Sequence, residues 1–244
     1  MPELIAHRGY RAHYPENTLL ALEAALSAGP CDVEFDVQLT ADGIPVVFHD
    51  VELERTTGAP GSLLDSELAD LFDLSPREPE RFGPQFEGVL IPTLEAALEL
   101  LARYPKRRAF VEIKEESLER FGVEDCLSPL LSLLEPCADQ LVLISYSPPA
   151  LNYAREHSPL ATGWVLTEYD DEHRRQAEAL APAYLICNQK RLPQEHAPWD
   201  GPWRWMAYEV NEIAQAESLI QRGVEAIETA EVERLLASGL FGDA

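Results

Sequence analysis

The feature that most constrains this chain is a recurring alternation of short β-rich runs with helical stretches. Candidate strands cover 4–7, 32–37, 45–49, 109–113, 141–145, 161–166, 184–187, 204–208 and 226–228. Helical patterns fall between them at 18–27, 94–103, 119–134, 149–156, 171–180, 212–222 and 231–236. Repeated strand-then-helix order brings successive strands together in parallel. With this number of units in 244 residues, a closed TIM (β/α)8 barrel is expected rather than an open doubly wound sheet. Asp42-Gly43 lies between two β runs and is a hairpin signal. One early strand pair is therefore expected to be antiparallel and local, outside the barrel count.

One stretch breaks the rhythm. Residues 54–92 hold Gly58, Pro60, Gly61, Pro76, Pro79, Gly83, Pro84 and Gly88, with a short helical piece around 65–72. The β/α pattern resumes afterwards with the same character. The expectation is one domain over 1–244, with a small loop and helical insertion after the His49 strand at the catalytic end.

Charge excludes several partners. There are 43 acidic against 19 basic residues, a formal net charge of −24. Such a field repels nucleic acid and anionic membrane surfaces. A small anionic substrate needs a local positive site. Met1-Pro2-Glu3 offers no basic n-region and no long apolar run, so neither a signal peptide nor a membrane span is expected. Cys31, Cys126, Cys137 and Cys187 are scattered without a C-x-x-C pair. They read as reduced, mostly buried thiols, consistent with a cytoplasmic protein.

The chemistry-bearing residues gather early. His7-Arg8-Gly9 follows the apolar run Leu4-Ile5-Ala6, and His49-Asp50 follows a second β run. Both histidines are thus expected at the C-terminal ends of strands, where barrel enzymes keep their chemistry. An imidazole titrates near pH ~6.5 and exchanges protons at neutral pH. The other four histidines, 13, 157, 173 and 196, lie in polar surroundings and read as surface residues. Glu34 and Asp36 are two apart on a strand and share a face, about 7 Å apart along it. Glu112 and Lys114 repeat that geometry. Two carboxylates ~4 Å apart repel by ~4 kcal/mol at an effective dielectric of about 20. Converging carboxylates therefore take up protons or hold a cation, and oxygen donors select Mg²⁺ or Ca²⁺, or else Mn²⁺. Arg8 offers a planar fork for phosphate oxygens and Lys114 a point charge. Both also fit salt bridges within the mouth.

These residues form an ordered set that resembles the glycerophosphodiester phosphodiesterase family. The match runs through His7-Arg8-Gly9, Pro15-Glu16-Asn17-Thr18, Glu34-Phe35-Asp36-Val37 and Thr40-Ala41-Asp42-Gly43. It continues in Pro45-Val46-Val47-Phe48-His49-Asp50, Arg55-Thr56-Thr57-Gly58, Ile91-Pro92-Thr93-Leu94 and Glu112-Ile113-Lys114. The resemblance implies a TIM barrel that hydrolyses glycerophosphodiesters to an alcohol and sn-glycerol 3-phosphate, in lipid and glycerol metabolism, with one divalent cation. By it, Glu34, Asp36 and Glu112 would ligate the metal and His7 and His49 would be the acid/base pair. Arg8 and Lys114 would hold the phosphate, Tyr208 would supply an aromatic wall, and Glu16 would support the site. The attacking oxygen is either water or the substrate's own 2-hydroxyl.

The C-terminal half departs from the family pattern. Tyr208-Glu209-Val210-Asn211 stands where Trp-Thr-Val-Asn is usual, and Gly223-Val224-Glu225-Ala226-Ile227-Glu228-Thr229-Ala230 lacks the usual final Asp. These departures bear on substrate preference. Two rivals follow. One is a phospholipase D-like or C-like enzyme acting on lysophospholipids, with an apolar rim from Leu63, Leu64, Leu71, Phe72, Phe82 and Phe86. The other is a non-catalytic barrel that binds a ligand, which ranks lower because no chemical residue is lost.

Overall fold

In the computed structural model, which describes residues 1–242, nine strands form one sheet. They are β1 (Glu3–Ala6), β2 (Asp32–Leu39), β3 (Pro45–Val47), β4 (Ala109–Ile113), β5 (Leu141–Ser145), β6 (Ala161–Val165), β7 (Tyr184–Asn188), β8 (Arg204–Tyr208) and β9 (Ala226–Thr229). Eight of them run parallel and close on themselves, with β1 bonded to β2 on one side and β9 on the other. The fold is a TIM barrel. The ninth strand, β3, pairs antiparallel with β2 across the Asp42-Gly43 turn, with Val37 opposite Val47. The hairpin expected from that dipeptide is present and lies outside the closed barrel.

The helices follow from capping and patterning. Thr18 and Thr93 cap α1 (Leu19–Ala28) and the helix Leu94–Ala102 by accepting from the backbone N–H three residues on. Ser147 and Asp170 cap Pro148–His157 and Asp171–Leu180 in the same manner. The single helix expected over 119–134 is instead two, Glu115–Phe121 and Val123–Leu134. Gly122 between them has φ +91, a left-handed conformation that ends the first helix. No helix joins β7 to β8. Pro193, Pro198 and Pro202 disfavour one there. Stacking of Trp199 on Tyr169, with ring centroids 3.9 Å apart, and packing against Trp205 cover that flank instead.

Strand alternation sorts the side chains. On β2, Val33, Phe35, Val37 and Leu39 face the helices and join the large core there. Inside the barrel, Ile5, Phe110, Val142, Ile144, Ile186 and Met206 form a separate apolar layer. Each such side chain contributes roughly 1.5–3 kcal/mol by leaving water. Gly163 lets this layer close, since a Cβ there would lie 2.9 Å from Ile144 Cγ2. The charged inward positions sit above and below the layer.

The segment after β3 carries more helix than the sequence pattern indicates. Besides Leu68–Leu71, turns of helix occur at Glu54–Thr57 and Pro79–Phe82. It packs a small core of its own from Val46, Phe48, Leu53, Leu63, Leu71 and Ile91. Among the described residues, no helix is long and apolar enough to cross a membrane. All four cysteines are free, three of them buried.

Candidate active site

β1 delivers His7, Arg8 and Gly9 to the C-terminal mouth. Gly9 has φ +75, and a Cβ there would lie 2.6 Å from the Ala21 carbonyl carbon. Only glycine fits, and this lets the chain turn against α1. Arg8 itself has φ +56, as does Asn17. Non-glycine residues in that region cluster where side chains are held for function. Both are held in this site. The Arg8 N–H donates to Glu34 Oε2 at 2.9 Å, and its Nη1 donates to Glu16 Oε1 at 2.8 Å. Its Nε lies 3.1 Å from Asp36 Oδ2. Asn17 Nδ2 donates to Asp36 Oδ2 at 2.8 Å, while the Asp36 N–H donates to Asn17 Oδ1 at 3.1 Å.

β2 and β4 bring in the carboxylates. One oxygen each from Glu34, Asp36 and Glu112 lies within 4.8 Å of the others. Glu34 and Asp36 are each only 2% exposed. Lys114 Nζ donates to Glu112 Oε1 at 2.8 Å and stands 3.5 Å from Asp36 Oδ1. Burial pushes the Glu34 carboxyl well above the usual range, and the charges of Asp36, Glu228 and Glu112 add to it. Burial and Asp36 likewise raise Glu112. Asp36 goes the other way: burial opposes its ionisation, but Arg8 and then Lys114 outweigh it and hold its carboxyl low. The cluster thus retains a demand for positive charge after its own cations are counted.

That demand fits a divalent ion. Glu34 Oε1 is buried and has no hydrogen-bond partner. The converging donors are all oxygens, the set that hard cations take.

The two expected histidines flank the cluster. His7 Nε2 stands 4.0 Å from Glu34 Oε2 and 3.7 Å from Glu228 Oε1. Burial, then Arg8 and Arg11, hold its imidazole well below the ordinary value, so it is neutral at pH 7. His49 follows β3, and its Nδ1 lies 2.5 Å from Asp50 Oδ1. Arg55 in turn holds Asp50 through Nε and donates from Nη2 to Glu16 Oε1 at 2.6 Å. Both motif segments, Pro15–Thr18 and Arg55–Gly58, therefore brace this mouth. A cavity of about 250 Å³ opens between His7, His49, Lys114, Tyr146, Tyr208 and Glu228.

All nine residues singled out in the sequence, Glu16 included, meet here, and others join them. Glu228 was not singled out, although a lone acid in the apolar strand Ala226-Ile227-Glu228 was the available signal. Tyr146 donates to or accepts from Tyr208, hydroxyl to hydroxyl at 2.9 Å. Nothing local in the sequence marked that partnership. Glu209 is balanced by Arg11, whose Nη2 donates to it at 2.5 Å. At the altered terminus, Asn211 Oδ1 accepts from the Ala230 N–H at 2.9 Å and from Thr229 Oγ1 at 3.1 Å. His13, His157 and His196 are exposed as expected. His173 is not a free surface residue: it stacks on Trp164 and hydrogen-bonds Thr167 Oγ1 at 3.0 Å.

A closed parallel barrel with two histidines, converging carboxylates, Arg8 and Lys114 at its C-terminal mouth fits an enzyme of the phosphodiesterase class. The profile of the glycerophosphoryl diester phosphodiesterase family matches residues 7–234, and the chain belongs to that family. A glycerophosphodiester phosphodiesterase of Caldanaerobacter subterraneus subsp. tengcongensis is 30% identical over 246 residues, spanning 96% of each chain. One of Bacillus altitudinis is 39% identical over 127 residues, 51% of this chain and 50% of that protein. Among solved structures, an Oleispira antarctica phosphodiesterase in complex with the product sn-glycerol-3-phosphate superposes with a TM-score of 0.85. It is 28% identical, over 98% of this chain and 96% of that one.

Proposed function

We propose that this chain, as one catalytic domain over 1–244 with residues 54–92 as an insertion, hydrolyses glycerophosphodiesters to an alcohol and sn-glycerol 3-phosphate. The observation that carries the reading is the meeting of Glu34, Asp36 and Glu112 within 4.8 Å, beside Lys114 and two histidines. The product seen in the Oleispira structure supports the substrate class. Glu34, Asp36 and Glu112 would hold one divalent cation, Mg²⁺ or Ca²⁺, with Mn²⁺ next. When bound, such an ion supplies positive charge to the phosphoryl oxygens as charge builds on them.

The chain's own residues do the rest. Lys114 and Arg8 orient the phosphodiester from opposite sides of Asp36. Neutral His7 is placed to take a proton from the attacking oxygen, and His49 to return one to the leaving alkoxide. Asp50 fixes the His49 ring by its Nδ1, which leaves Nε2 as the exchanging atom. Tyr208, tied to Tyr146, walls the glycerol side. Glu16 stabilises Arg8 and Arg55 together.

The lysophospholipid reading loses half of its apolar rim. Of the six rim residues, Leu63, Leu64 and Leu71 are buried in the insertion, and Phe72 stands out at 63% exposure. A soluble glycerophosphodiester panel, assayed with Mg²⁺, Ca²⁺, Mn²⁺ or EDTA for release of glycerol 3-phosphate, tests the proposal. Metal-dependent release is the expected result. Folded protein inert with every ion would overturn it.

A further inference from the structure

We propose that His7, Glu34 and Glu228 form a second cation site, selective for a borderline divalent ion such as Zn²⁺, whose occupancy inhibits the enzyme. One donor atom from each of these three lies within 4.8 Å of the others. The set is distinct from the all-oxygen trio and shares only Glu34 with it. Glu34 and Glu228 are 2% and 4% exposed, and Glu34 Oε1 has no hydrogen-bond partner. Two donors that each sit about 2.0–2.2 Å from one tetrahedral ion stand roughly 3.3–3.6 Å apart. His7 Nε2 is 3.7 Å from Glu228 Oε1 and 4.0 Å from Glu34 Oε2, so a shift of a few tenths of an ångström by these side chains closes the set around such an ion.

The donors decide the metal. An imidazole nitrogen with two carboxylates is a three-ligand set of the zinc type, open at a fourth position, whereas Mg²⁺ and Ca²⁺ prefer oxygen alone. A ligating histidine also needs its other nitrogen held. His7 Nδ1 is buried without a hydrogen-bond partner, and the nearest acceptor is Glu209 Oε1 at 3.8 Å, a carboxylate that Arg11 anchors. Glu209, which departs from the family pattern, would become the outer partner of His7 by closing that gap when Nε2 takes the ion. The two sites differ in softness yet touch through Glu34, so a cell rich in Mg²⁺ fills one and a rise in Zn²⁺ fills the other. Zn²⁺ on His7 Nε2 occupies the lone pair that takes the substrate's proton. This inhibitory consequence rests on the proposed role of His7; the binding does not.

The test is equilibrium dialysis of the full chain against Zn²⁺ in saturating Mg²⁺, with both metals counted, and an assay of the same samples. One Zn²⁺ bound with Mg²⁺ retained, and hydrolysis suppressed, is expected. Glu228→Gln is expected to weaken Zn²⁺ uptake at least ~10-fold and to raise the inhibitory Zn²⁺ concentration equally, relative to its own zinc-free rate. Glu228→His keeps a donor and is expected to retain Zn²⁺, which separates ligand loss from misfolding. Zn²⁺ uptake matched by Mg²⁺ loss, or unchanged uptake by Glu228→Gln, would overturn the proposal. A protein inactive with every ion but showing the Glu228-dependent Zn²⁺ would sink the phosphodiesterase reading and leave this site standing.

Discussion

The two ends of the barrel place charge on equivalent inward strand positions, yet they balance it differently. At the N-terminal end, Arg108 Nη2 lies 2.6 Å from Glu3 Oε1 and 2.8 Å from Asp32 Oδ2. Its Nη1 donates to the Tyr184 hydroxyl at 2.9 Å, which donates to Glu3 Oε2 at 2.9 Å. Arg204 pairs with Glu3 and Glu225. Every acid there has a cation. At the C-terminal end, Glu34, Asp36, Glu112 and Glu228 converge while Arg8 and Lys114 reach only part of them. A layer of Ile5, Phe110, Ile144 and Met206 separates the two. A closed ionic network is structural, whereas one left short of positive charge has affinity to offer a ligand. Cavity size misleads here: the space near Arg108 is about 680 Å³ against about 250 Å³ at the mouth, but it holds no histidine and no carboxylate left over.

The sharpest way to break this contrast is at the mouth. His7→Ala and His49→Ala are each expected to cut turnover by ~10²–10⁴-fold with little change in melting temperature. Activity within a few-fold of wild type would remove the acid/base role. At the other end, Arg108→Met strands Asp32, while Glu3 keeps Arg204 and Tyr184. The expected loss is about 2–3 kcal/mol in urea denaturation, below that of a fully buried pair because Arg108 is 32% exposed. The specific activity of the folded fraction should not move. Equal loss of activity would mean that the ends are coupled.

A smaller effect distinguishes the ends by pH. Burial, with Glu112, pushes the Glu228 carboxyl up to about 8. A folded value above the unfolded one contributes stability that is lost as pH rises through the folded value. Metal-free protein in EDTA is therefore expected to lose stability as pH rises from the ordinary carboxylate range to about 8 and to level off beyond it, the part above pH 6.5 lying outside the range in which His7 contributes. Mg²⁺ or Ca²⁺ should restore more at pH 8.5 than at pH 6. A flat pH profile for both forms would contradict an unbalanced mouth. The smallest expected change is Tyr146→Phe, which removes the hydroxyl contact to Tyr208. It should cost roughly 0.5–1.5 kcal/mol, read as a rise in KM with kcat held; an unchanged KM would take Tyr208 out of the substrate wall.

Much of the barrel was legible because strand and helix periods differ and are local. Ala109–Ile113, Leu141–Ser145 and Arg204–Tyr208 were bounded correctly by apolar runs alone. The break at Gly122 was missed because the apolar periodicity of 123–134 runs smoothly into it, and only a left-handed glycine reveals the stop. Glu34, Asp36 and Glu112 were legible as acids within β runs, which have no business in a core without a charge partner. Glu228 sits on a strand of four residues, too short to show an alternation.

By itself, the amino-acid order determined which side chains share a strand face and which follow a strand end, since both depend on neighbours one or two residues away. It thereby determined the acid pairs, the two histidines and the barrel class. Only the tertiary structure decided which acids are matched by cations. Arg108 reaches Asp32 across 76 residues, while His7 meets Glu228 by closure of the barrel at β1 and β9. Charge balance depends on distances through space, and those are set by how the barrel closes rather than by the spacing of residues along it.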